Sequence, residues 1–377
     1  MKVYQLKSYV RNFTRVVLKD PQRKRLHRML PEYLRFVVSD PDTANQYFTK
    51  FLYRKDAGQY KKYVVPDRIL HKCWALNDPN YHPVVADKYL FEKFYERHDI
   101  NVVKSLAHNY NSLFFMGKEI IDIDSPATFR HVLAGIFGNA RKHKTLIIKK
   151  NIGSCGGASI FKIDNRDLFE DMDKVERIYR EVVKSGYIFQ EFVLQHEELN
   201  RLNPSCLNTM RMDSFTSRDG KSNVYSAFLR LGLSRSHVDN VGSGGLYVGI
   251  NPDDGSLFQK GWTDFSHGMA RNHTSHPETE ICFKGIKIPY FKEAVELVCK
   301  AAELVPRLRI LGWDVGITPT GPVIIEANEC PGITHSEVAQ GGFYENPVFK
   351  EVLKELKSGG RVQKSPGKEV SVAREGA

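Results

Sequence analysis

The sequence predicts an α/β fold of two lobes preceded by a mostly helical N-terminal region, and three observations carry that prediction. Two apolar strands, TLIIKK at 145–150 and SIFKI at 159–163, flank a glycine-rich turn. An amphipathic row at 166–185 and the apolar strand YIFQEF at 187–192 follow. Farther on, GWDVGITPTGPVIIEANECPG at 312–332 reads as strand, Pro-Thr-Gly turn, strand. A chain of 377 residues, 41% hydrophobic and 11% aromatic, can bury the core of two or three subdomains.

Residues 2–18 predict a helix with Val3, Leu6, Val10, Phe13 and Val17 on one face. Lys7, Arg11, Arg15 and Lys19 form a basic stripe on another, extended by Arg23, Lys24, Arg25 and Arg28. Two readings stand: peripheral contact of residues 2–28 with an anionic membrane surface, or the solvated face of a helix packed on the body. Asp20-Pro21 starts a second helix toward Val38, which Asp40-Pro41 ends. Residues 41–85 alternate helical and irregular stretches, so residues 1–85 form a mostly helical basic region. ADKYLFEKFYERHDINVV at 86–103 predicts a helix and a short strand, opening a domain over 86–356, with a flap subdomain at 86–190 and a metal-binding one at 191–356. Residues 357–377 lack apolar periodicity and are expected to be a disordered tail.

Charge and cysteines narrow the function classes. Of the net +11, residues 1–40 hold +7 and residues 357–377 hold +3, leaving +1 for everything between. The basic excess belongs to the ends, which argues against a nucleic-acid groove. No apolar run reaches eighteen residues and the N-terminus lacks a signal-type segment, so a cytoplasmic protein is expected, with any membrane contact peripheral at the inner face. Six cysteines with no C-x-x-C pair predict neither a disulfide framework nor a zinc knuckle, but mostly buried thiols.

The 312–332 hairpin holds the first candidate chemistry. Period-2 alternation points Glu326 and Asn328 the same way, and the turn at 319–321 folds Asp314 back beside them. Two carboxylates and an amide oxygen on rigid strands suit Mg²⁺, although an ordinary solvated hairpin fits this stretch equally. Upstream, Gly153, Gly156 and Gly157 make a turn whose N–H groups can approach phosphate, with lysines at its base. The turn joins two strands and opens no helix, so a hairpin flap describes it better than a P-loop. QEFV at 190–193 can meet the edge of a purine through its backbone. Arg211 in NTMRMDSF and Arg230 in AFLRLG lie on consecutive strands and suit phosphate or carboxylate, while Asn240, Gly244 and Gly245 form a turn.

In order, the lysine-ended strand, glycine flap, amphipathic helix, QEFV strand, arginine-bearing strands and D-x₁₁-E-x-N resemble the ATP-grasp superfamily. QEFVLQHEELNRLNPSCLNTMRM, VDNVGSGGLYVGIN and GWDVGITPTGPVIIEANECPG are similar to the sugar-transfer associated ATP-grasp family, found with polysaccharide biosynthesis genes, over about residues 85–345. The resemblance implies an ATP-grasp fold whose two lobes grip the nucleotide, with ATP and Mg²⁺ as cofactors. It implies that Lys149 binds phosphate; Lys150 stands where many relatives have proline, so which lysine faces the nucleotide stays open. Gly153, Gly156 and Gly157 would form the flap, and Gln190, Glu191, Phe192 and Val193 the adenine hinge. Lys88 would be the superfamily's earlier lysine, and His196 and Glu198 candidates for the ribose. Asp314, Glu326 and Asn328 would hold Mg²⁺, with Lys149, Arg211 and Arg230 as catalytic residues. The implied reaction is carboxylate–amine ligation through an acylphosphate on a sugar or glycan precursor, for example an amino acid joined to a uronic acid. A kinase or phosphotransferase on a glycan-pathway substrate and a non-catalytic nucleotide-binding scaffold are the alternatives.

Overall fold

The computed structural model describes residues 13–39, 44–63, 67–139, 144–153, 159–233, 239, 241–265 and 272–358. Residues 2–12 of the basic segment, Gly156, Gly157, Asn240, Cys155 and the tail from 359 lie outside them. The architecture is α/β, built on two antiparallel sheets with a helical N-terminal region.

The smaller sheet takes β1 (Ser105–Tyr110), β2 (Leu113–Met116), β3 (Glu119–Asp122), β4 (Thr145–Lys150), β5 (Ile160–Asp164) and β6 (Gly186–Glu191) in the order β3-β2-β1-β6-β4-β5. Alternation along β4 sends Leu146 and Ile148 into a core shared with the helices Pro126–Asn139 and Met172–Val182. The second of these starts where Asp171 accepts a hydrogen bond from the Lys174 N–H, and it buries Val175, Ile178 and Val182 at helical spacing. The sequence predicts one helix over 166–185, but Asp171 ends a short turn at Asp167–Glu170 and resets the phase. Phe169 and Met172, part of the apolar row that one unbroken helix would turn to the core, therefore point outward.

The larger sheet runs β11-β10-β9-β8-β7-β12-β13, from β7 (Met210–Thr216), β8 (Ser222–Leu231), β9 (Leu246–Ile250), β10 (Leu257–Thr263), β11 (Asn272–His273), β12 (Ile310–Thr318) and β13 (Gly321–Asn328). One face is apolar: Met210, Met212, Leu229, Trp313 and Val315 pack with helices Lys88–Glu96 and Phe291–Glu303. The opposite face carries Arg211, Asp213 and Phe215 on β7, so it passes from polar to apolar along one strand. Its apolar parts are covered by the N-terminal region together with Thr334–Gln340 and Pro347–Ser358.

The N-terminal region departs from its predicted pattern. Phe13–Val17 is a single wide turn closed by Leu18 N–H to Phe13 O, with Val16 and Val17 buried. The helix expected from Pro21 begins instead at Leu26 and runs to Ser39. Asp20 is held elsewhere, by Arg54 at 2.6 Å and the Tyr53 hydroxyl at 3.1 Å. Of the five cysteines described, only Cys73 is buried, which corrects the expectation of mostly buried thiols.

Candidate functional site

Cross-strand register assembles the charged cluster. Arg211 on β7 pairs with Asp314 on β12, and Asp314 with Glu326 on β13, so three charged residues form one row across three strands. The next row is Asp213, Gly312 and Asn328. Arg211 Nε lies 2.8 Å from Asp314 Oδ1, and Arg230 Nη2 lies 2.6 Å from Asp314 Oδ2. Burial would raise the Asp314 pKa, but the two guanidinium groups outweigh it and hold the carboxylate below its ordinary value. Arg230 is itself buried, which lowers its pKa, and Asp314 and Asp239 more than reverse that. Thr209 Oγ1 accepts from Arg230 Nη2 at 2.6 Å, and Asp239 Oδ2 accepts from the Thr209 N–H at 2.7 Å.

Gly312 makes the first row possible. A Cβ there would stand 2.6 Å from Arg211 Nη1 and 2.8 Å from Pro331 Cβ, so any side chain would displace the guanidinium. Asn328 points the same way as Glu326, and one end of its amide is buried without a partner. With the amide turned, that end is an oxygen. No group of three His, Cys, Asp or Glu side chains among the described residues could hold a metal, so any cation here would need the amide as well as the two carboxylates. Two carboxylates flanked by an unsatisfied amide are a donor set that Mg²⁺ fits, with waters and phosphate oxygens completing it.

Facing this row are two lysines, Lys149 from the smaller sheet and Lys88 from the start of the helix Lys88–Glu96. Alternation puts Ile147 and Lys149 on the cleft side of β4 and Lys150 with the core-facing residues, so Lys149 is the lysine that lines the cleft. Desolvation and Lys88 lower the Lys149 pKa, while Glu326 and Asp314 oppose them. Lys88 begins its helix next to the N-cap Asp87, and its Nζ lies 3.6 Å from Glu326 Oε2. Asn151 ties the end of β4 to that helix, accepting from the Tyr89 N–H at 2.9 Å. Gly153 has φ +73°, the left-handed backbone that a glycine permits where the flap turns.

A cleft of about 810 Å³ lies between the sheets. Of the residues singled out in the sequence, Lys88, Lys149, Gln190, Glu191, Phe192, Val193, Arg230, Asp314 and Glu326 line it. Gln190 is buried, its Nε2 donating to Val103 O at 3.3 Å. Past Glu191 the chain leaves the sheet, and the N–H and C=O groups of Val193 and Leu194 make no hydrogen bond among the described residues. Arg211, Asn328, Gly153 and Lys150 do not line the cleft, and Arg211 reaches it through Asp314. His196 and Glu198 are not brought to it either. His196 caps the helix Glu197–Leu202, accepting from the Glu198 N–H at 3.2 Å, and Glu198 pairs with Arg201 at 3.1 Å. Thr209, Asp239 and Lys162 line the cleft and were missed. Lys162 sits 5.3 Å over the Phe192 ring, and its place opposite Ile147, on the face of the hairpin that Lys149 shares, was the available signal.

The two gripping sheets and the D-x₁₁-E-x-N hairpin define an ATP-grasp protein. The model of the sugar-transfer associated ATP-grasp family matches residues 73–348, and the chain belongs to that family. The match begins where Trp74 and Asn77 bind the hairpin: Asn77 Nδ2 donates to Ile310 O at 2.7 Å and Glu329 O at 2.6 Å, and Trp74 Nε1 donates to Pro331 O at 3.1 Å. No curated protein matches the chain. Similar solved structures include the ATP-grasp ligase PsnB with minimal precursor, Mg and ADP, at 14% identity and TM-score 0.39, covering 75% of this chain and 62% of that one. D-alanyl-alanine synthetase A from Vibrio cholerae is 12% identical with TM-score 0.42, covering 74% of this chain and 66% of that one. The D-alanine-D-alanine ligase from Coxiella burnetii is 12% identical with TM-score 0.38, covering 72% of this chain and 56% of that one. The chain thus spans less than two thirds of each of these three structures.

Proposed function

We propose that the protein is a Mg²⁺- and ATP-dependent carboxylate–amine ligase acting on a sugar or glycan precursor, for example joining an amino acid to a uronic acid. The observation that carries this reading is the Arg211–Asp314–Arg230 cluster, set beside Glu326 and Asn328 and facing Lys149 across the cleft. Membership of the sugar-transfer associated family supports the substrate class.

In this reading Asp314, Glu326 and Asn328 hold Mg²⁺, which when bound neutralises triphosphate charge and orients the phosphates. Lys149 from the smaller sheet and Lys88 from its helix start meet the phosphates, and the backbone groups of Val193 and Leu194 meet the adenine edge. A substrate carboxylate oxygen attacks the γ-phosphorus and the bond to ADP breaks, giving an acylphosphate. An amine then attacks the acyl carbon, phosphate leaves with the bonding pair, and the amine loses a proton. Arg230, anchored by Thr209 and Asp239, stabilises the charge that builds on the transferring group, and Arg211, outside the cleft lining, acts through the Asp314 carboxylate that it holds. Such a site works by positioning and electrostatics, which is why it needs no serine or cysteine nucleophile.

Incubation with ATP, Mg²⁺ and a panel of amino acids and uronic acid sugars, followed by ADP release and product mass, tests the reading. ADP together with a condensed mass is expected. ADP with a phosphorylated hydroxyl and no condensed mass would assign a phosphotransferase instead. Glu326→Gln should lower turnover by at least about a hundredfold while melting near the wild type, and Asp314→Asn should lower turnover as much but also lose stability, because it leaves Arg211 and Arg230 without their buried partner. Negligible turnover in wild type and Glu326→Gln alike, with ATP still bound, would indicate a scaffold.

A further inference from the structure

The helix Leu26–Ser39 presents an apolar ridge that the core does not use. Leu26, Leu30, Leu34 and Val38 recur every fourth residue, a spacing that keeps them on one side. They are exposed by 55%, 59%, 47% and 84%. The core is served by the adjoining face, where Met29, Tyr33, Phe36 and Val37 pack around Tyr47 and Phe48. Among the described residues no helix is long and apolar enough to cross a membrane, so this ridge belongs to a surface element.

The charges around the ridge are of one sign. Residues 13–39 contain two acidic side chains, and both turn into the body: Asp20 to Arg54 at 2.6 Å, and Glu32 to Lys24 at 2.7 Å and the Tyr47 hydroxyl at 2.8 Å. Arg15, Lys19, Arg25 and Arg28 are exposed and make no ion pair among the described residues. Residues 1–12 add Lys2, Lys7 and Arg11 with no acidic residue.

We propose that this helix docks the protein on an anionic lipid surface, its leucine ridge entering the boundary between headgroups and acyl chains while the exposed arginines meet lipid phosphates. Charge complementarity selects this occupant. A second copy packed ridge to ridge would bring like charges together, and a nucleic acid would leave four apolar side chains uncovered. The inference stands independently of the ligase reading.

The test is sedimentation of the full chain with phosphatidylcholine vesicles, with and without phosphatidylserine, at low and high salt. Pelleting is expected only with phosphatidylserine, weakening as salt rises. Arg25→Glu/Arg28→Glu should lower the partition coefficient by more than about tenfold, since each basic residue contributes about fivefold. Leu30→Asp/Leu34→Asp should lower it by more than about tenfold at unchanged melting temperature, because the substituted positions are exposed. Absence of pelleting with phosphatidylserine vesicles at low salt would overturn the proposal. So would a leucine variant that pellets like the wild type, or one whose measured defect is loss of a dimer with lipid binding retained.

Discussion

Gly312 shows what a single absent side chain permits. Arg211 can reach Asp314 because nothing rises from Gly312 in the neighbouring row, where the contact distances leave no room for a methyl group beside the guanidinium. Gly312→Ala should therefore reduce ATP turnover by about tenfold or more while shifting stability by only about 1–2 kcal/mol, which steady-state kinetics beside thermal melts would check. Asp213, in the same register row, is wholly buried, with Ser336 Oγ donating to Oδ2 and Oδ1 unpaired. Burial, helped by Asp314, pushes its pKa up to about 6 against the pull of Arg211 and Ser336. A carboxyl whose folded pKa is raised contributes stability that is fully present below its unfolded value near 4 and is lost as pH rises through about 6. Asp213→Asn removes that titration. Relative to the wild type, the variant should gain on the order of 2–3 kcal/mol between about pH 4 and pH 7.5, measured by denaturant midpoints across that range.

At the scale of elements, the segment that follows Asn328 is braced by the N-terminal region. Lys50 and Glu337 form an ion pair of 2.6 Å with both side chains fully buried, fixing the helix Thr334–Gln340. Lys62 O accepts from the Tyr344 N–H at 2.9 Å, and Trp74 and Asn77 hold the chain at Pro331 and Glu329. Removing one partner of a buried pair leaves an uncompensated charge, so Glu337→Gln should cost about 3–5 kcal/mol. Chemical denaturation would measure it. Lys50→Met/Glu337→Leu, which removes both charges, should recover most of that loss if the pair is structural. Were Glu337→Gln neutral, the N-terminal region would not be bracing the hairpin's exit.

Across the whole molecule, opposite charges meet in one cleft: Lys149 from the smaller sheet and Lys88 from the start of the helix Lys88–Glu96, Asp314 and Glu326 from the larger sheet. A ligand carrying both phosphate and cation would satisfy both walls at once and bind the folded state alone. ATP with Mg²⁺ at about a hundred times Kd should then add about 2.7 kcal/mol of stability, read as a rise in melting temperature. Chelation of the metal or Lys149→Met should remove most of that rise. A shift that survives both would place nucleotide binding outside this cleft.

The sequence by itself determined the order of elements, the acidic hairpin and the flap with its lysine, because each is written in local periodicity. Period-2 alternation put Glu326 and Asn328 on one face, and the turn at 319–321 brought Asp314 opposite Glu326, as the register shows. The same alternation, once β4 was seen to bury Leu146 and Ile148, separated Lys149 from Lys150. Only the tertiary structure decided which distant residues meet. Nothing near Lys50 announces Glu337, 287 positions away, and nothing around Arg211 shows that Asp314 rather than a phosphate holds it in the protein alone. His196 carried the right chemistry for a ligand contact, yet the start of the following helix claimed its side chain. Local spacing fixes which face a residue takes, but partners are chosen by strand register and by burial, where unpaired charge is costly, and those follow from the packing of the whole chain.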